Sequence, residues 1–287
     1  MPDPSPSTPA GGARIDRTQL LREVAGAGER AGVWKNVEAG LTGDGDIDLA
    51  VPQADWERVT ERFRRWAGSQ GLGPIVICRH VPGSLFLLAL DPSGGPFTQL
   101  DMRGTARLRG APAFVADDLD PHMVLDPRGF RRLRPGVEGL LKLALVGFGR
   151  GGRPRADKLR REHVRELLAS DPKGARAGAT TLGIAAGSLC RAAEAAAAGG
   201  WDRRALLLVE GRAVLSALYH PRGLLDRARE RQAKRRCPVL RAGILNHRQV
   251  PGDPEAWLRQ VRRDHEVLAI LGEVSDAGSS RRTQIDA

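Results

Sequence analysis

Two carboxylates, Asp46 and Asp48, stand two residues apart at the mouth of an apolar run, in Gly43-Asp44-Gly45-Asp46-Ile47-Asp48-Leu49-Ala50-Val51-Pro52. On a β-strand, side chains at i and i+2 leave the same face, so both acids project together while Ile47 points the other way. Like charges so placed repel unless a cation sits between them, and the usual cation for an oxygen-only pair is hydrated Mg²⁺. Gly43 and Gly45 suit a tight turn at which a triphosphate could approach the backbone. A solvated turn feeding a strand is the alternative, with Asp44 and Asp46 as ordinary turn residues. A third acid, Asp101, sits between apolar Leu100 and Met102. A carboxylate there is costly to bury unless it is paired or bound to metal. Otherwise it faces water on an edge strand, beside Arg103.

The elements that must position these acids follow from periodicity. Between Ala54 and Gln70, apolar Trp56, Val59, Phe63, Trp66 and Ala67 recur at helical spacing and the run ends at Gly71. Three short apolar runs come next, Ile75–Cys78, Leu85–Leu90 and Phe97–Met102, separated by turns at Pro82-Gly83 and Pro92-Ser93-Gly94-Gly95. The expected order is therefore a strand with the acid pair, a helix, then three strands, the last carrying Asp101.

That order, with an acid-x-acid pair on an early strand and a third acid on a later one, resembles the catalytic domain of the DNA-polymerase-β-type nucleotidyltransferase superfamily over residues from about 30 to 105. Val33-Trp34-Lys35-Asn36 ahead of Gly45-Asp46-Ile47-Asp48-Leu49 is similar to poorly characterised bacterial nucleotidyltransferases associated with polysaccharide and natural-product gene clusters. The resemblance implies Asp46, Asp48 and Asp101 as catalytic and metal-binding residues of a small mixed sheet. It also implies two Mg²⁺ ions and a nucleoside triphosphate as co-substrate. Two such ions about 3.5–4 Å apart clamp the attacking and leaving oxygens of an in-line displacement. Most members carry a Gly-Ser pair before the acids, whose Ser holds a phosphate. Here the nearest equivalents are Gly40, Thr42 and Gly43, or else Lys35 and Asn36.

The triphosphate needs cationic or N–H donors. Of 45 Lys and Arg residues only five are Lys, at 35, 142, 158, 173 and 234. Lys142 interrupts an apolar helix opened by Pro135, so it must either snorkel outward or meet an anion. In the resembling family a Lys on a helix just after the sheet often reaches the triphosphate. Lys142 is assigned that role, with Lys35, Asn36, Gly43, Gly45 and Lys158 as further nucleotide-binding candidates.

Gly147-Phe148-Gly149-Arg150-Gly151-Gly152 matches a dinucleotide-binding fingerprint, but helix signals precede it and no strand separates the following helix from Asp171. It is expected to be a helix end and loop.

The chain has 287 residues and a net charge of +11, all of it beyond residue 110. A basic, helical second half could hold a polyanion against the metal site, and nucleic acid is one possible partner. Aromatic residues are only 4%, which leaves few platforms for stacking single strands. No apolar stretch has the length of a membrane span. Cys78, Cys190 and Cys237 lack metal-ligand spacing and suit reduced thiols, giving a cytoplasmic expectation. His80 and His122 are expected on the surface near the sheet.

The expected architecture is α+β. A disordered tail at 1–12 precedes a mixed-sheet nucleotidyltransferase domain at 13–134, a helical domain at 135–272 and a flexible tail at 273–287. Helices are expected near 136–148, 156–169, 178–198, 201–218, 221–235 and 253–271. The expected function is Mg²⁺-dependent transfer of a nucleoside monophosphate to an acceptor hydroxyl, with a small molecule or glycan precursor favoured and pyrophosphate released. The alternatives are an RNA-nucleotidylating enzyme of the same fold and a non-catalytic nucleotide-binding or scaffold module.

Overall fold

The apolar runs of the first half pair into one mixed sheet. The computed structural model describes residues 15–78, 81, 83–91, 97–155, 160–183, 185–219, 222–225, 228, 267–271 and 282–284. In chain order these form α1 (Arg17–Ala25), β1 (Gly32–Lys35), α2 (Val37–Thr42), β2 (Ile47–Ala50), α3 (Trp56–Ser69), β3 (Ile75–Cys78), β4 (Ser84–Ala89), β5 (Thr98–Arg103), β6 (Thr105–Leu108), β7 (Ala111–Val115), β8 (Met123–Leu125) and β9 (Arg131–Leu133). There follow α4 (Pro135–Lys142), α5 (Arg161–Ser170), α6 (Pro172–Leu182), α7 (Ala186–Ala197), α8 (Arg203–Tyr219), β10 (Val267–Leu271) and β11 (Arg282–Gln284). The nine-stranded sheet runs β11-β10-β3-β4-β5-β2-β1-β9-β8, with β6 and β7 forming a separate hairpin. Its β2–β5 and β1–β9 pairs are parallel and the rest antiparallel.

Strand alternation sorts side chains to the two faces. Ile47, Leu49, Leu100 and Met102 point to one face, where they pack under Val59, Phe63 and Trp66 of α3 and Leu20, Leu21 and Val24 of α1. The helical period of α3 supplies that apolar stripe. On the opposite face Trp34 and Ala50 join a second cluster with Val137, Leu140 and Leu141 of α4, and with residues of α5 to α8. The helical half thus shares its core with the sheet. Pro135 opens α4, and Asp171 caps α6 by accepting the Gly174 N–H at 2.9 Å.

Several expectations need correcting. The helix expected over 178–198 is two helices, α6 and α7, because Gly183 takes a left-handed conformation (φ 63°) that closes α6. The segment 267–271, assigned to a helix, is strand β10, which pairs with β3; its apolar run suits either state at that length. Residues 282–284, assigned to a flexible tail, pair with β10 as β11. Gly147–Gly152 does close the helical run that α4 begins, as expected. The tail at 1–12, Lys158, His80, Cys237 and most of 221–266 lie outside the described residues, as does nearly all of the basic patch at 227–236. Among the described residues, no helix is long and apolar enough to cross a membrane.

Candidate active site

The sheet brings two of the three acids side by side. In the parallel β2–β5 pair Asp48 is the register partner of Asp101, so both leave the same face of adjacent strands. Adjacent strands lie about 4.8 Å apart. Asp46 precedes β2 by one residue, and its charge reaches Asp101. The face they share is the one turned toward α4, away from α1 and α3.

Asp48 is 5% exposed and Asp101 half-buried. Burial, followed by repulsion from Asp48 and then Asp46, pushes the Asp101 carboxyl well above the ordinary aspartate range. A hydrogen bond from Gln99 Nε2 to Asp101 Oδ1 at 2.6 Å and the Lys35 charge act the other way.

Lys35 reaches the acids through a slip in the sheet. Pairing between β1 and β2 shifts register between Val33 and Lys35, so that Lys35 rather than Trp34 stands opposite Asp48. The Lys35 ammonium lies 2.9 Å from Asp48 Oδ1 and 4.9 Å from the Trp34 ring centroid. Asn36 follows in the left-handed region (φ 57°) as the N-cap of α2, a conformation Asn tolerates better than most residues. Of the two alternatives for the phosphate-holding pair, Lys35 and Asn36 are therefore the ones at the strand-to-helix turn beside Asp48, while Gly40, Thr42 and Gly43 lie toward the other end of α2.

Gly43 and Gly45 have packing reasons for lacking side chains. Gly43 adopts φ 79° at the end of α2, and a Cβ there would approach the Arg17 guanidinium to 3.0 Å. A Cβ on Gly45 would lie 3.0 Å from the Ala39 methyl. The turn is tight because α2 folds directly back onto β2.

Lys142 lies at the border of this cluster, close enough for its charge to interact with those of Lys35 and Asp48. It neither snorkels nor faces open solvent, being 7% exposed. Its Nζ lies 2.7 Å from Glu138 Oε1 and 2.7 Å from His163 Nε2. Burial lowers its proton affinity, and the Glu138 charge partly restores it. Glu138, unnoticed in the sequence, is the hub of this corner. It is 3% exposed, accepts the Asn36 N–H at 3.1 Å and pairs with Arg132 at 3.2 Å. Its spacing of four from Lys142 on one helix was the available signal.

Other polar groups on the acid-bearing face also escaped notice. Gln99, Asp101 and Arg103 alternate along β5 and share that face, and Ser84 of β4 is the register partner of Arg103. Among the described residues, Gln99 Oε1, Ser84 Oγ and Trp34 Nε1 are buried without a hydrogen-bond partner. His122, expected at the surface, is 8% exposed and bonds Thr181 Oγ1 at 2.7 Å, because α6 packs over it.

Three carboxylates make an all-oxygen donor set, the kind a hard divalent cation such as Mg²⁺ takes. The positive charge seated on Asp48 is the Lys35 ammonium. Among the described residues, no group of three or more His, Cys, Asp or Glu is placed to hold a metal ion, so the expected three-acid metal site is not assembled. The oxygen donor types suit such an ion, while the Asp48 carboxylate is engaged by Lys35. No protein-family model, curated protein or solved structure matches this chain.

Proposed function

We propose that this chain is a nucleotidyltransferase that moves a nucleoside monophosphate from a nucleoside triphosphate to an acceptor hydroxyl, a small molecule or glycan precursor being favoured over RNA. The observation that carries the proposal is the register pairing of Asp48 with Asp101, Asp46 lying two residues before Asp48. Burial, with the Asp48 and Asp46 charges beside it, raises the proton affinity of Asp101, an arrangement that a bound cation would relieve. Asp46, Asp48 and Asp101 would hold Mg²⁺, which when bound neutralises charge on the reacting phosphate and oxygens.

The remaining work falls to the chain itself. The acceptor oxygen bonds to the α-phosphorus, the bond from that phosphorus to the β-phosphate oxygen breaks, and pyrophosphate leaves. Asp101, on the strand beside Asp48, takes the proton of the attacking hydroxyl as the new bond forms. Gln99 fixes the orientation of that carboxylate through its 2.6 Å bond. Lys35, released from Asp48, is placed to pair with the triphosphate, and Lys142 with Glu138 holds the Asn36 turn in position. The helices α4 to α8 are taken as the layer that closes one side of the cleft.

A second possibility, a non-catalytic nucleotide-binding or scaffold module, is favoured by one contact: the Lys35–Asp48 pair satisfies an acid that catalysis needs free. Pyrophosphate release with each of the four triphosphates, Mg²⁺ and hydroxyl acceptors decides between them. The enzyme should be stabilised jointly by triphosphate and Mg²⁺, and the double variant Asp46→Asn with Asp48→Asn should lose both the joint effect and the release. Equal thermal responses of the wild type and that variant would remove the case for catalysis.

A further inference from the structure

We propose that Arg103, Ser84 and Trp34 form a subsite for an anionic group on the acceptor, a phosphate or carboxylate carried by a small hydroxyl-bearing molecule. This deepens the nucleotidyltransferase proposal and rests on it for the identity of the acceptor side.

Arg103 is two residues beyond Asp101 on β5, so both side chains leave the same face, about 6.6 Å apart along the strand. Arg103 is half-buried, and its guanidinium carbon lies 5.9 Å from the Trp34 ring centroid. Among the described residues no carboxylate pairs with it, although the chain is generous with such pairs elsewhere: Arg128 has Asp126 and Glu38, Arg132 has Asp126 and Glu138, and Arg134 has Asp171.

Two buried polar groups flank it without partners. Ser84, 1% exposed, is the register partner of Arg103 across the β4–β5 ladder, and its hydroxyl is unbonded. Directly opposed side chains in an antiparallel pair have Cβ atoms about 5 Å apart. Trp34, 4% exposed, has an unbonded indole N–H. Leaving such groups buried and unpaired is costly, so a ligand that satisfies them recovers that cost on binding. All three can donate: a forked guanidinium, a hydroxyl and an indole N–H. A hydroxyl on the paired strand and an aromatic N–H beside a guanidinium suit an anion, and an Arg fork takes phosphate and carboxylate oxygens alike.

The spacing sets the acceptor's size. With the attacking hydroxyl at Asp101 and the anion at Arg103, the two groups are separated by a few bonds, as in a sugar phosphate or a sugar acid. A polymer backbone is not required.

Calorimetric titration of the full chain, with Mg²⁺ and a non-hydrolysable triphosphate present to fill the nucleotide side, tests this. The probes are glycerol 3-phosphate, glycerate and glycerol. At least one anionic probe should bind, glycerol should not, and the phosphate and carboxylate arms tell the two anions apart. Arg103→Gln should weaken the bound anion about tenfold or more, and Ser84→Ala, which removes only a hydroxyl, by a few-fold. Arg103→Lys should fall between wild type and Arg103→Gln, and thermal melts establish that each variant is folded. If Arg103→Gln fails to fold, the Ser84→Ala and Arg103→Lys results decide. Equal binding of glycerol, binding of neither anion by the wild type, or undiminished anion affinity in the folded variants would overturn the subsite. Anion binding at Arg103, with no pyrophosphate released when an ordinary triphosphate replaces the analogue, would instead remove the transferase proposal and leave the subsite standing.

Discussion

The Lys35 ammonium sits 2.9 Å from Asp48 Oδ1, against an acid that is only 5% exposed. Removing one member of a buried pair leaves the other uncompensated, which costs roughly 3–5 kcal/mol for full burial. Lys35 is itself one-quarter exposed, so Lys35→Met should lower stability by about 2–3 kcal/mol. Millimolar Mg²⁺ should then raise the urea midpoint of the variant more than that of the wild type, since the vacated acid is open to a cation. Identical Mg²⁺ responses in the two proteins would mean that Lys35 does not stand in a cation position.

Glu138 serves three partners at once: the Asn36 N–H, Arg132 and Lys142. Glu138→Ala should therefore cost about 3–5 kcal/mol, because two cations beside it lose their shared counter-charge. Glu138→Gln keeps acceptor capacity and should cost less. Urea unfolding of the three proteins measures the order, and an alanine variant as stable as wild type would contradict the hub.

Asp126, 5% exposed in the turn between β8 and β9, gives a pH dependence whose sign is fixed. Hydrogen bonds from Arg128 hold its carboxyl down to about 2. A depressed folded value stabilises above the unfolded one, near 3.9, and that stability disappears as pH falls from about 4 to about 2. The contribution is about 1–2 kcal/mol once solvent screening at the one-third-exposed Arg128 is allowed for. Thermal melts should show wild type and Asp126→Asn converging across that interval. A constant gap between them would refute the assignment.

Local pattern revealed a good part of this fold. The 3.6-residue stripe of Val59, Phe63 and Trp66 marked α3, the alternation around Asp46 and Asp48 marked β2, and the apolar runs marked β3, β4 and β5. What escaped were features set by partners distant in the chain. Nothing near Lys35 announces that β1 slips by one residue against β2, because a bulge is visible only once two strands are paired. The pairing of Asp48 with Asp101 is likewise a property of sheet order, which one sequence does not reveal. Gln99-Leu100-Asp101-Met102-Arg103 did carry a readable signal. Its strict polar–apolar alternation puts all three polar side chains on one face, but only Asp101 was singled out.

The parallel pairing of β2 with β5 has a consequence for how the protein comes to be made. All of α3, β3 and β4 are synthesised between the two acidic strands, and β4 must already lie beside β5 in the finished order. Contacts that span so much chain form late and slowly. The repulsion between Asp48 and Asp101 therefore exists only once β2 and β5 are paired. A nascent chain released before β5 would carry Asp46 and Asp48 without the strand that sets Asp101 beside them.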